Sequence, residues 1–213
     1  GPESLVTYQF PNCKDPKYSK ILQGLAENYG KQFSIVADVS GSIFEPCTHI
    51  RGTGNLLVDM LANPDETNIL MDHAHEFVTG LIEQAADIPE VDWIWLGDDV
   101  GTQRAMMMSP ALWRKYLKPR LKSLITHAKT RRPGWTVAYH SCGSIKSIIP
   151  DLIEIGVEVL NPIQPLCPEM NPYEIKKEFG KDLSLLGGLD TQELLVQGTP
   201  QQVYDESSRL IEI

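Results

Sequence analysis

Thr136-Val137-Ala138-Tyr139-His140-Ser141-Cys142-Gly143 reads as an apolar strand that runs into a His-x-Cys pair and then a glycine. Side chains at i and i+2 of a strand point the same way, so the imidazole of His140 and the thiol of Cys142 converge at its C-terminal end. A nitrogen beside a soft sulfur suits a borderline-soft ion such as zinc. For two residues alone, the plain alternative is a buried thiol next to a hydrogen-bonded core histidine. Working outward, strand patterns recur at 33–38, 92–97, 157–160 and 183–187, several of them nearly continuous apolar runs. Such runs are expected where a parallel sheet is buried on both faces.

Helical patterns alternate with these strands. They fall at 55–62, at about 65–86, at roughly 110–129 with Ser109 as N-cap and a kink at Pro119, at 144–155 closed by Gly156, and at 172–179, with a last helix opening at Thr199-Pro200. Strand–helix alternation means βαβ crossovers, hence an α/β fold in one domain over 1–213. The first strand is followed by Ser40-Gly41-Ser42-Ile43-Phe44, not by a glycine-rich dinucleotide fingerprint. Polar residues instead collect at the strand ends: Asp38, Asp98 and Asp99, His140 and Cys142, Asn161 and Gln164, and Asp190. That distribution is the habit of a (β/α)8 TIM barrel, of which this chain supplies five units.

Composition narrows the function. The 213 residues are 42% hydrophobic and 22% charged with a net charge of −9, an ordinary globular balance that argues against nucleic acid and against a basic membrane patch. No apolar run approaches a membrane span and no secretory signal opens the chain; Gly1-Pro2, the pair a tag-cleaving protease leaves, is set aside. Cys13, Cys47, Cys142 and Cys167 form no CxxC pair, which fits a reducing cytoplasm.

Asp98 and Asp99 are candidates for acid/base catalysis, for accepting a substrate hydrogen bond or for a further metal ligand; capping the next turn is the bland alternative. Only one of the two can face the mouth, and Asp98 is the first choice. Asn161 and Gln164 carry amides that can fix a substrate, and Asp190 follows Gly187-Gly188, where the backbone admits close approach. Glu45 and His49 are read as loop residues that could line the mouth. Cys47 and Cys167 read as bystanders, His73 and His75 as surface residues, and Met106–Met108 as core or lid packing.

A series of motifs in order resembles the uroporphyrinogen decarboxylase superfamily. They are Gly97-Asp98-Asp99-Val100-Gly101, Ser109-Pro110, Leu117-Lys118-Pro119, Tyr139-His140-Ser141-Cys142-Gly143, Asn161-Pro162-Ile163-Gln164, Gly187-Gly188-Leu189-Asp190 and Gly198-Thr199-Pro200-Gln201-Gln202-Val203. The resemblance implies a (β/α)8 barrel with its site at the C-terminal mouth, of which this chain is the central five units. It points to the cobalamin-dependent methyltransferase branch. There His140 and Cys142 match two zinc ligands, and the third, a Cys, would lie on a strand beyond Ile213. That branch implies zinc, a corrinoid carried by a partner protein and a small-molecule methyl donor or acceptor. The decarboxylase branch is the runner-up: it has a Lys-Asp type sequence where this chain has Ser141 and Cys142, a functional tyrosine matched here by His49, and arginines for which only Arg51 and Arg104 are candidates. A barrel that only binds a ligand is the third reading. Two open sheet edges would favour a homo-oligomer.

Overall fold

A computed structural model describes residues 7–213, so Gly1-Pro2 lie outside the described part. Five strands form one sheet: β1 (Ile35–Asp38), β2 (Val91–Gly97), β3 (Thr136–His140), β4 (Val159–Ile163) and β5 (Ser184–Gly187). All four pairings are parallel, in the order β1-β2-β3-β4-β5. Every strand lies beside its chain neighbour and the order never reverses. A doubly wound sheet must reverse at its switch point, whereas barrel strands run on in sequence, so the topology is of the barrel kind. β1 and β5 each pair on one side only among the described residues.

The strands sit close to where the sequence puts them, and the differences have local causes. β1 starts at Ile35 because Phe33 is still occupied: its N–H bonds to Tyr29 and closes the last turn of helix α1 (Lys17–Tyr29). β4 starts two residues late because Gly156 turns the chain at φ +101° and the Val157 N–H bonds back to Leu152. β3 keeps the expected bounds, with Val137, Ala138 and Tyr139 wholly buried.

Helices α2 (Phe44–Arg51), α3 (Thr53–Ala62) and α4 (Pro64–Ala86) follow β1, and α5 (Pro110–Tyr116) and α6 (Lys118–Arg131) follow β2. The kink expected at Pro119 is a full break at Leu117, with Pro119 in the first turn of α6, where its missing N–H costs no hydrogen bond. The stretch after β3 is a 3-10 turn and the short α7 (Ile149–Glu154) instead of one helix over 144–155. α8 (Pro172–Phe179) stands at its expected bounds, and α9 (Leu194–Gln197) precedes α10 (Pro200–Ile211). α10 opens on a reciprocal cap between Thr199 and Gln202. Ser109 caps α5 by accepting from the Leu112 N–H. No helix of the described residues is long and apolar enough to cross a membrane.

The core lies between sheet and helices. Trp113, Tyr116 and Trp135 are buried there, and two of them bond where the helices meet the strands: the Tyr116 hydroxyl donates to Met60 O at 2.7 Å and Trp135 Nε1 to Val91 O at 2.7 Å. His75 is half-buried, and its Nε2 has no partner, so it is not the surface residue expected from sequence.

Asp151, buried at the start of α7, ties that helix to α5 and α6 by accepting from Arg114 at 2.8 Å and Lys118 at 2.7 Å. The Arg114 guanidinium and then the Lys118 ammonium hold its carboxyl below the usual range. A depressed folded pKa stabilises above the unfolded value of about 3.9 and loses that contribution as pH falls through the folded value. Asp151→Asn should therefore melt below the parent at pH 7, with the gap closing as pH drops below about 4. Thermal unfolding followed by circular dichroism across that range checks it, and a gap independent of pH would count against the pairing.

Candidate functional site

The parallel register places Gly97, His140 and Asn161 side by side at the C-terminal ends of β2, β3 and β4. Asn161 Nδ2 donates to Leu186 O at 3.1 Å, which turns its Oδ1 toward His140 Nδ1 at 2.7 Å. Nδ1 therefore carries the ring proton and Nε2 keeps its lone pair. Around Nε2 stand Cys142 Sγ at 3.6 Å and Asp99 Oδ1 at 3.5 Å. The three donor atoms lie within 4.8 Å of one another. A tetrahedral zinc with bonds of about 2.1 Å to nitrogen and 2.3 Å to sulfur would set those two atoms roughly 3.6 Å apart.

The turn after β3 holds Cys142 in place. Asp99 Oδ1 accepts the Cys142 N–H at 2.7 Å, and Ser141 Oγ accepts the Val100 N–H at 3.2 Å. Gly143 has φ +88°, and a Cβ there would lie 2.6 Å from the backbone of Gly101 and Thr102. Only glycine allows the two loops to lie this flush.

Burial, followed by the charge of Asp99, pushes the Cys142 thiol up to about 11. Burial and then Asp99 also raise the Glu45 carboxyl, while His140 and His49 pull it back. Glu45 and His49 lie on α2, not in a loop, and their i, i+4 spacing puts them on one helix face. The Glu45 carboxylate accepts from the Asp99 N–H, so it borders the triad; His49 is exposed one turn further on.

The two neighbouring aspartates part company. Asp98 is buried, facing away from the mouth, and accepts from the Ile43 N–H at 3.0 Å and the Glu45 N–H at 2.9 Å. It anchors the start of α2, and burial outweighs those hydrogen bonds to push its carboxyl up to about 7. Asp99 is the one at the mouth. Asp190 stands apart from the triad: its carboxylate accepts from the N–H groups of Gln192, Glu193 and Leu194, which hold it below the usual range. Gln164 braces the turn after Cys142 by accepting from the Gly143 N–H at 2.9 Å. Its Oε1 also accepts from Gln103 at 2.9 Å, and Gln103 accepts from Gln192 at 2.7 Å. Nothing in the sequence around Gln103 and Gln192 signals that amide chain, which exists only because three loops meet. Cys13, Cys47, Cys142 and Cys167 are all free thiols.

Residues 9–213 match the uroporphyrinogen decarboxylase (URO-D) family, and the chain belongs to it. It is 22% identical over 195 residues to methylated-thiol–coenzyme M methyltransferase of Methanosarcina mazei, covering 90% of this chain and 49% of that protein. It is 22% identical over 193 residues to methylcobamide:CoM methyltransferase MtbA of Methanosarcina acetivorans, covering 89% and 52%. A solved methyltransferase structure from Methanosarcina mazei superposes with a TM-score of 0.76 at 19% identity, over 92% of this chain and 55% of that one. The chain thus spans about half the length of the curated relatives it matches, and its likeness lies in the methyltransferase branch of the superfamily. Its α/β fold is that of the family's barrel, with five parallel β/α units.

The flush contact behind Cys142 makes a prediction. Gly143→Ala combines a positive φ with backbone overlap and should cost well over 1 kcal/mol, lowering the melting midpoint by about 3 °C or more. Gly134→Ala, where a Cβ meets nothing within 4 Å, should leave it within about 1 °C. Calorimetry of both variants checks this, and equal shifts would refute the packing argument.

Proposed function

We propose that this chain carries the zinc site of a methyltransferase that moves a methyl group to or from a corrinoid held by a partner protein. The observation that carries this reading is the convergence of Asp99, His140 and Cys142 at the mouth, with His140 Nε2 3.6 Å from the sulfur and 3.5 Å from the carboxylate oxygen. The donor chemistry agrees. A thiol pushed up to about 11 among carboxylates is a poor ligand alone, and a divalent cation reverses that balance by favouring the thiolate.

Zinc bound there would supply a Lewis acid that lowers the pKa of an acceptor thiol or polarises the atom bearing a methyl group. The chain's own residues do the rest. Asn161 keeps the proton on His140 Nδ1 and so aims Nε2 into the site. Asp99 offers the third donor and steadies the Cys142 backbone. Asp98 anchors α2 and thereby sets Glu45 beside the triad, where its raised carboxyl retains a proton more readily than an exposed glutamate. The methyltransferase names of the relatives, one of them a methylcobamide enzyme, support the corrinoid partner and a small-molecule donor or acceptor. Tetrapyrrole decarboxylation gains no support from Arg51, which is engaged with Asp59.

Elemental analysis of the purified protein should find about one zinc per chain, and His140→Ala with Cys142→Ser should abolish it. Asn161→Ala should weaken zinc binding by about 10–100-fold without removing a ligand. Absence of zinc in the parent, or full retention in the double variant, would sink this reading.

A further inference from the structure

The turn that carries Cys142 leans on a second, stiffer turn from the end of β2. There the Thr102 N–H donates to Ala105 O at 2.7 Å, and Thr102 Oγ1 accepts from the N–H groups of Arg104 at 3.2 Å and Ala105 at 3.1 Å. Gly101 and Met106 bridge its base. Its backbone lies flush against Gly143, and Thr102 O accepts from the Ser144 N–H at 2.9 Å. Gln103 is thus presented at the tip of a hydrogen-bonded turn that is itself fixed to the Cys142 loop.

The Gln103 amide is a node between loops. Its Nε2 donates to Gln164 Oε1 at 2.9 Å, and its Oε1 accepts from Gln192 Nε2 at 2.7 Å and from the Cys167 thiol at 3.3 Å. Gln164 Oε1 in turn accepts from the Gly143 N–H at 2.9 Å. Gln164 has a long, rotatable side chain, so an aimed amide must be pinned from its far side. Among the described residues, that pinning comes from Gln103 and from the Cys167 thiol at 3.5 Å, a weak donor.

We infer that Gln103 is a positioning residue for the metal-binding turn. It locks Gln164 so that Oε1 holds the Gly143 N–H, and Cys142, one residue earlier, keeps its thiol beside His140 Nε2. Its bearing on metal rests on the zinc reading of the triad; its hold on the turn does not. The sense of the amide matters. A glutamate at this position would still accept from Gln192, but it would set a carboxylate oxygen against Gln164 Oε1. Turning the Gln164 amide to donate to that carboxylate takes Oε1 away from Gly143. Because Gln103 is exposed, losing its hydrogen bonds is felt in the turn and not in global stability.

Amide hydrogen exchange followed by NMR on the metal-free protein, beside zinc affinity measured by chelator competition, tests this. Gln103→Met keeps the bulk and removes the amide; the Gly143 N–H should then exchange about fivefold faster or more, as loss of a net hydrogen bond implies. The Tyr139 N–H within β3 should change less than about twofold, and the melting midpoint should stay within about 1 °C. Gln103→Glu should act as Gln103→Met does, and both should weaken zinc by about threefold to tenfold. Gln164→Met should cause the same losses, and adding Gln103→Met to it should cause no further loss, since one residue acts through the other. Unchanged exchange at Gly143, unchanged zinc affinity in a variant that exchanges faster, or full additivity of the two substitutions would overturn the inference. So would a lowered melting midpoint with all amides speeding up alike, the mark of a merely structural residue. A parent that binds no zinc would instead sink the zinc reading, and the exchange at Gly143 would then decide whether Gln103 holds the turn.

Discussion

The site depends on parallel register. Because β2, β3 and β4 pair in sequence order, the residues that end them come to one height, and Gly97, His140 and Asn161 line up across three strands. A shift of one residue in β3 would turn His140 to the opposite face and leave Asn161 facing Tyr139 or Ser141. The buried run Val137–Tyr139 makes such a slip expensive, since every apolar side chain in it would change sides. Core packing far from the chemistry thereby fixes the imidazole to within hydrogen-bond tolerance of its amide partner.

The second constraint is the division of labour between adjacent carboxylates. Successive residues leaving a strand face opposite ways, so Asp98 and Asp99 were never going to share a task. The inward one meets the exposed N–H groups at the start of α2 and satisfies donors that the helix cannot. The outward one meets His140 and Cys142. Asp98 thereby acts on the mouth indirectly: it sets the helix that carries Glu45 to the edge of the triad.

Much of this was legible in the sequence because it is local. The i, i+2 geometry of His140 and Cys142 follows from strand periodicity alone, and the alternation of apolar runs with helical patterns predicts a parallel sheet. The expectation of a metal at His140 and Cys142 rested on resemblance, and of the two candidate aspartates the structure brings Asp99, not Asp98, beside them. What could not be read is what depends on loops meeting. Asn161 looked like a substrate contact because nothing local reveals that its amide is spent on His140. Asp190 looked functional because a glycine pair precedes it, yet its oxygens close the turn into α9. α2 was missed because Glu45-Pro46 reads as a loop, although proline is acceptable in the first turn of a helix.

The electrostatics of the mouth follow from these placements. The carboxylates of Asp99 and Glu45 and the thiol of Cys142 gather at the mouth, where Asp99 raises both of its neighbours. Burial there disfavours every charged form, so an uncompensated cluster of this kind works against folding. A dication bound there would offset that repulsion and make the thiolate the favoured form.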